Sequence, residues 1–106
     1  MALERVADDY AGDPAVEQKT TFRSPGLRVD GKIFAFLGRQ ERLVVKLPRD
    51  RAQALVAEGS AELVVMGTRT MREWVGIPLG DDADAGTRTW RSYAREAHDY
   101  VASLAE

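Results

Sequence analysis

Nine basic side chains fall between Lys19 and Arg51 (Lys19, Arg23, Arg28, Lys32, Arg39, Arg42, Lys46, Arg49 and Arg51). Only Asp30, Glu41 and Asp50 oppose them, so this stretch carries +6. Ammonium and guanidinium groups at that density suit one chemistry, the holding of phosphate oxygens by charge and hydrogen bonds. Arg28, Lys32, Arg39, Arg42 and Lys46 lie in or beside two apolar, β-favouring runs and are the candidate phosphate contacts. The remainder of the chain is −8, which gives the net −2 and a pI of about 5.4. A split of this kind is one footprint of a polyanion binder. Solubilising charge on strand edges and turns is the commoner reason for such a run.

Other chemistry finds less support. The acidic loop Gly80-Asp-Asp-Ala-Asp-Ala-Gly86 invites a calcium site, but a calcium-binding loop begun at Asp82 puts Gly86 at position 5 and Tyr93 where a bidentate carboxylate belongs. Negative charge ahead of a helix, capped by Thr87 or Thr89, accounts for these residues better, and no metal or cofactor is expected. His98, the one histidine, falls off the apolar stripe of its helix and is expected on the solvated side, with no acid or nucleophile fixed near it. Ser24, Ser60, Ser92 and Ser103 have no identifiable base, and neither common Gly-rich phosphate loop is present. No catalytic residue is assigned and no enzymatic activity is expected. Trp74 reads as core or half-buried packing, with a stacking platform for a base as the minority alternative.

The elements that must position these residues centre on a hairpin. Runs over 32–37 and 42–47 flank Gly38-Arg39-Gln40-Glu41. An even-length loop would set Phe36 opposite Leu43 and Phe34 opposite Val45, gathering Phe34, Phe36, Leu43, Val45 and Leu47 on one apolar face. The other face would then mix Ile33, Ala35, Leu37 and Val44 with Arg42 and Lys46. Before the hairpin, Leu3, Val6, Ala7 and Tyr10 predict a helix over 2–10. A strand over 16–23, a turn at Ser24-Pro25-Gly26 and an extended run over 27–29 follow. Asp30-Gly31 is a strong two-residue hairpin signal. After it come a short helix over 49–58 stopped by Gly59, a strand over 62–66, a turn over 67–70, and a strand over 71–77 closed by Pro78. The last helix, over 89–104, carries its stripe through Trp90, Tyr93, Ala94, Ala97, Tyr100, Val101 and Leu104.

The chain of 106 residues, 44% apolar and 30% charged, is expected to be one α+β domain over 1–106, an antiparallel sheet with helices packed on it. The absence of cysteine excludes disulfides and thiolate chemistry and fits a reducing cytoplasm. No run approaches the roughly 20 apolar residues that span a bilayer, and the Met-Ala-Leu-Glu-Arg start lacks signal-peptide features, so no membrane association is expected.

Several short motifs then carry a resemblance: the run from Pro25 to Leu37, Val44-Val-Lys-Leu-Pro48, Thr70-Met-Arg-Glu-Trp-Val75, and Trp90 with Ala94-Arg-Glu-Ala97. Over about 16–104 the chain resembles the MmcQ/YjbR-like family, and its layout is similar to the related N-terminal domain of TfoX competence regulators. The resemblance implies a small double-wing α+β domain and a DNA-binding label that rests on fold analogy. It brings no catalytic residues; Gly31, Lys32, Phe34, Trp74 and Trp90 match as fold markers. Two partner classes stay open. One is nucleic acid, bound weakly and electrostatically through Arg28, Lys32, Arg39, Arg42 and Lys46. The other is a protein partner or small ligand on the mixed outer face of the hairpin. Oligomeric state is not legible in the sequence.

Overall fold

The computed structural model describes residues 2–21, 24–38, 41–66 and 69–104. The Asp30-Gly31 pair closes its hairpin as such a dipeptide dictates, with both residues in left-handed backbone at φ 52° and 81° and Val29 opposite Lys32. In chain order the elements are α1 (Ala2–Asp8), β1 (Val16–Thr21), β2 (Ser24–Val29), β3 (Lys32–Gly38), β4 (Arg42–Lys46), α2 (Arg49–Ala57), β5 (Glu62–Met66), β6 (Arg69–Pro78) and α3 (Ala83–Leu104). The strands form one six-stranded sheet, antiparallel throughout, in the order β1-β2-β3-β4-β6-β5. The α+β class expected from the sequence is the class observed.

Three helices supply one core. Leu3, Val6 and Tyr10 of α1 and its exit, Ala52 and Leu55 of α2, and Trp90, Ala94, Ala97 and Val101 of α3 join Leu43, Val45, Leu47, Val75 and Ile77 of the sheet region in a single buried cluster. All three helices therefore cover the same side of the sheet, and the other side carries none of them. Among the described residues no helix is long and apolar enough to cross a membrane. On the exposed rim, Arg91 makes a two-armed contact of 2.8 and 2.7 Å to Asp9, and Arg51 one of 2.9 and 3.2 Å to Glu96. Solvated pairs of this kind orient helices more than they stabilise them.

The β3–β4 register differs from the even-loop expectation. Leu37 faces Leu43, Phe36 faces Val44 and Gly38 faces Arg42, leaving a loop of residues 39–41. Its last residue, Glu41, takes the left-handed conformation (φ 53°) that closes a three-residue hairpin loop. That position usually goes to glycine or asparagine, so a glutamate there left no mark in the sequence. The odd loop turns Leu37 inward with Leu43 and turns Phe36 outward with Val44 and Lys46.

Phe34 nevertheless stays in the core, because β3 is bulged. Leu27 faces Ala35 and Arg28 faces Ile33, so Phe34 is the extra residue opposite that step. A bulge places two successive side chains on one side of the strand, and Phe34 and Ala35 are both fully buried. Ile33 and Phe36 point to the helix-free side.

Several boundaries also move; Arg69 and Thr70, expected in a turn, open β6 opposite Met66 and Val65. Ser24, Pro25 and Gly26 pair with Thr21, Thr20 and Lys19 as strand rather than turn. Helix α3 begins six residues early, at Ala83, with Asp82 as its cap: Asp82 Oδ1 accepts the N–H groups of Asp84 and Ala85 at 3.0 and 3.2 Å. Thr87 and Thr89 do not cap; their hydroxyls donate back to Ala83 O and Ala85 O inside the helix.

Candidate functional site

On the helix-free side the register lines up a short path across three central strands. Phe36 sits beside Val44, Val44 beside Gly76, and Lys46 beside Trp74. The Phe36 and Trp74 rings lie 5.7 Å apart at 54°, and Lys46 Nζ stands 5.9 Å from the Trp74 centroid, within cation–π range. Trp74 is half-buried, as its sequence context predicts, but on the open side of the sheet and not under the helices.

Beside this ring is a concavity of about 430 Å³. Its apolar walls are Ile33 from β3 and Val101 and Leu104 from the end of α3, and its basic groups are Arg28, Lys32 and Lys46. Arg28 enters from β2 opposite Ile33; its Nε is fully buried and has no hydrogen-bond partner. Lys32, just past the Asp30-Gly31 turn, donates to Leu104 O at 3.3 Å. Among the described residues neither Arg28 nor Lys46 has an ion-pair partner.

Thus three of the five residues singled out from sequence, Arg28, Lys32 and Lys46, come together. Arg42 does not join them. It sits at the far end of β4, with its stem over Gly76 and its Nη2 2.8 Å from Glu62 Oε2. Arg39 lies outside the described residues. Sequence reasoning missed the walls from Val101 and Leu104, because their place on the α3 stripe says that they are covered but not by what.

The remaining candidates are structural. His98 is not solvated: its side chain is 14% exposed, stacked on Tyr10 (5.2 Å, 22°) and edge-on to Phe34 (5.4 Å, 87°). Its Nδ1 lies 2.9 Å from Asp99 Oδ1, and its Nε2 lies 3.7 Å from Asp13 Oδ2. It fills the seam between α3, β3 and the exit of α1, a place the period of α3 alone did not mark. Burial of neighbouring Tyr10 pushes its phenol up to about 12.

A second concavity, of about 400 Å³, lies between the β6–α3 connection and the start of α3. Its Asp82 caps the helix, its Thr89 bonds back to Ala85 O, and its Ser60 donates to Glu58. These polar groups are already engaged. No group of three His, Cys, Asp or Glu that could hold a metal ion occurs among the described residues.

A family model described as YjbR matches residues 12–100. No curated protein and no solved structure matches the chain.

Proposed function

The chain belongs to the YjbR family, and we propose that it is a cytoplasmic, non-catalytic nucleic-acid-binding or regulatory module that meets its ligand at the end of the sheet where Trp74 and Lys46 adjoin the last turn of α3. The observation that carries this reading is the concavity beside Trp74. There Arg28, which stands across from Glu17 of β1, and Lys32 and Lys46 surround a half-buried aromatic ring, and among the described residues neither Arg28 nor Lys46 is in an ion pair. Phosphate contacts from three cations supply weak, salt-sensitive affinity and orient the nucleic acid without reading its sequence. The overall negative charge of the chain keeps this affinity local to that face.

Replacing Arg28, Lys32 and Lys46 together with glutamine is expected to weaken binding and to flatten the log–log salt dependence by roughly 0.9 per lost contact on duplex DNA, or roughly 0.7 on a single strand. Arg42→Gln, which removes a cation already paired with Glu62, is expected to change the slope little. Fluorescence anisotropy over a salt series measures both. Absence of binding at low salt, or indifference to the triple substitution in a protein that melts normally, rejects the reading.

One observation favours a second reading, association with another copy of the chain. Strand β5 is an edge of the sheet, and its Leu63 and Val65 are 55% and 58% exposed. The strand has no lysine or proline, the usual guards of an edge. Antiparallel pairing of two β5 strands about Val64 would set each Leu63 opposite the other copy's Val65 with no like charges opposed. Light scattering is expected to report a dimer that Val65→Lys converts to monomer; a monomer at all concentrations sinks this reading. The mixed outer face of the hairpin keeps Ile33, Val44, Arg42 and Lys46 but carries Phe36 in place of Ala35 and Leu37, which turn inward.

A further inference from the structure

We infer that the Trp74 concavity takes an unpaired nucleotide, base against the indole and phosphate on the cations, so that single-stranded nucleic acid and not duplex is the matching ligand. This rests on the reading above and narrows it. A flat basic face would suit phosphate backbones of either kind. This site is instead a concavity of about 430 Å³ with Ile33, Val101 and Leu104 as apolar walls and the charges of Arg28, Lys32 and Lys46 around it. Apolar walls gain nothing from phosphate and do gain from a base brought out of water.

The aromatic ring points the same way. In a duplex the π-faces of the bases are occupied by their neighbours, so an indole can stack only on a base that is unpaired and free. Phe36 packs against Trp74 and steadies the ring. Lys46 stands above it on a four-carbon stem long enough to follow a phosphate once a base approaches. Arg28, half-buried at the same concavity, adds a second cation beside it. Every residue is thereby given a share of one ligand: walls and indole for the base, cations for its phosphate.

The two tryptophans make the test direct. Trp90 is 1% exposed and donates its indole N–H to Ile77 O at 2.9 Å, so a ligand that quenches tryptophan emission by stacking acts on Trp74. The full chain is titrated with a twelve-residue oligothymidylate, with a duplex of the same length, and with thymidine monophosphate. The oligothymidylate is expected to quench, and to bind more tightly than the duplex at equal salt. Trp74→Phe is expected to abolish the quench. Trp74→Leu, which keeps an apolar side chain but has no π-face, is expected to weaken oligothymidylate binding about 5- to 150-fold and duplex binding much less. Thermal melts of both variants check that they fold.

Equal affinity for duplex and single strand, with Trp74→Leu indifferent, overturns the inference and leaves the nucleic-acid reading standing. Binding of the monophosphate as tight as that of the oligomer keeps the nucleotide pocket and removes the strand-binding function. No binding of any of the three overturns both.

Discussion

Trp90→Ala is expected to cost about 3–5 kcal/mol. The ring is 1% exposed and is the largest fully buried side chain. Its removal opens a cavity where α3 meets the sheet, and surrounding groups relax only partly into such a space. A second cost adds to the first. Trp90 Nε1 donates to Ile77 O at 2.9 Å in a buried setting, and that bond is lost with the ring. Against a total stability of about 5–15 kcal/mol, losses of this size bring the folded state close to its limit. Trp90→Phe separates the terms: it retains much of the apolar volume, forfeits the hydrogen bond and is expected to fall between wild type and Trp90→Ala. Urea denaturation monitored by circular dichroism measures both, and a loss below about 1 kcal/mol for Trp90→Ala rejects the assigned core.

Gly86→Ala is expected to destabilise by about 1–3 kcal/mol or more, although alanine at a helical position ordinarily gains about 1 kcal/mol over glycine. Gly86 is buried in the first turns of α3. A Cβ there would stand 1.9 Å from Leu79 O and 2.9 Å from the Leu79 carbonyl carbon. The obstruction is backbone, so no rotamer change relieves it; the chain entering α3 must shift, and with it the capping contacts of Asp82. Gly12→Ala is the matched control. Nothing lies within 4 Å of its would-be Cβ, and the same substitution there is expected to be neutral or to stabilise by about 0.4–1 kcal/mol. Thermal unfolding of the two variants should shift in opposite directions. A Gly86→Ala protein as stable as wild type would refute the close approach of α3 to Leu79.

The features legible in the sequence are those set by local period and turn chemistry. The stripe through Trp90, Ala94, Ala97 and Val101 predicts the buried face of α3, because a helix repeats every 3.6 residues whatever it packs against. Asp30-Gly31 predicts its own hairpin, because few residues tolerate left-handed backbone. The basic character of 19–51 is a matter of counting. What one strand does relative to the next is different in kind. The parity of the 39–41 loop decides which of Leu37 and Phe36 faces the helices, and that parity rests on Glu41 accepting a conformation that its residue type disfavours. The bulge that returns Phe34 to the core appears only in its pairing against β2. His98 leaves water because α1 and β3 meet over it, and position 86 has room only for glycine because Leu79 passes close by.

The candidate site divides along the same line. Residue type named Arg28, Lys32, Arg39, Arg42 and Lys46 alike, since charge is a property of each side chain alone. Tertiary structure chose among the four it describes. Strand order carries Trp74 of β6 next to Lys46 of β4, the β2–β3 hairpin brings Arg28 and Lys32 to the end of α3, and Glu62 across Gly76 neutralises Arg42. These neighbours are separated by tens of residues in sequence. Their meeting follows from how the sheet buries its apolar side beneath three helices, a requirement of the whole chain that no local pattern encodes.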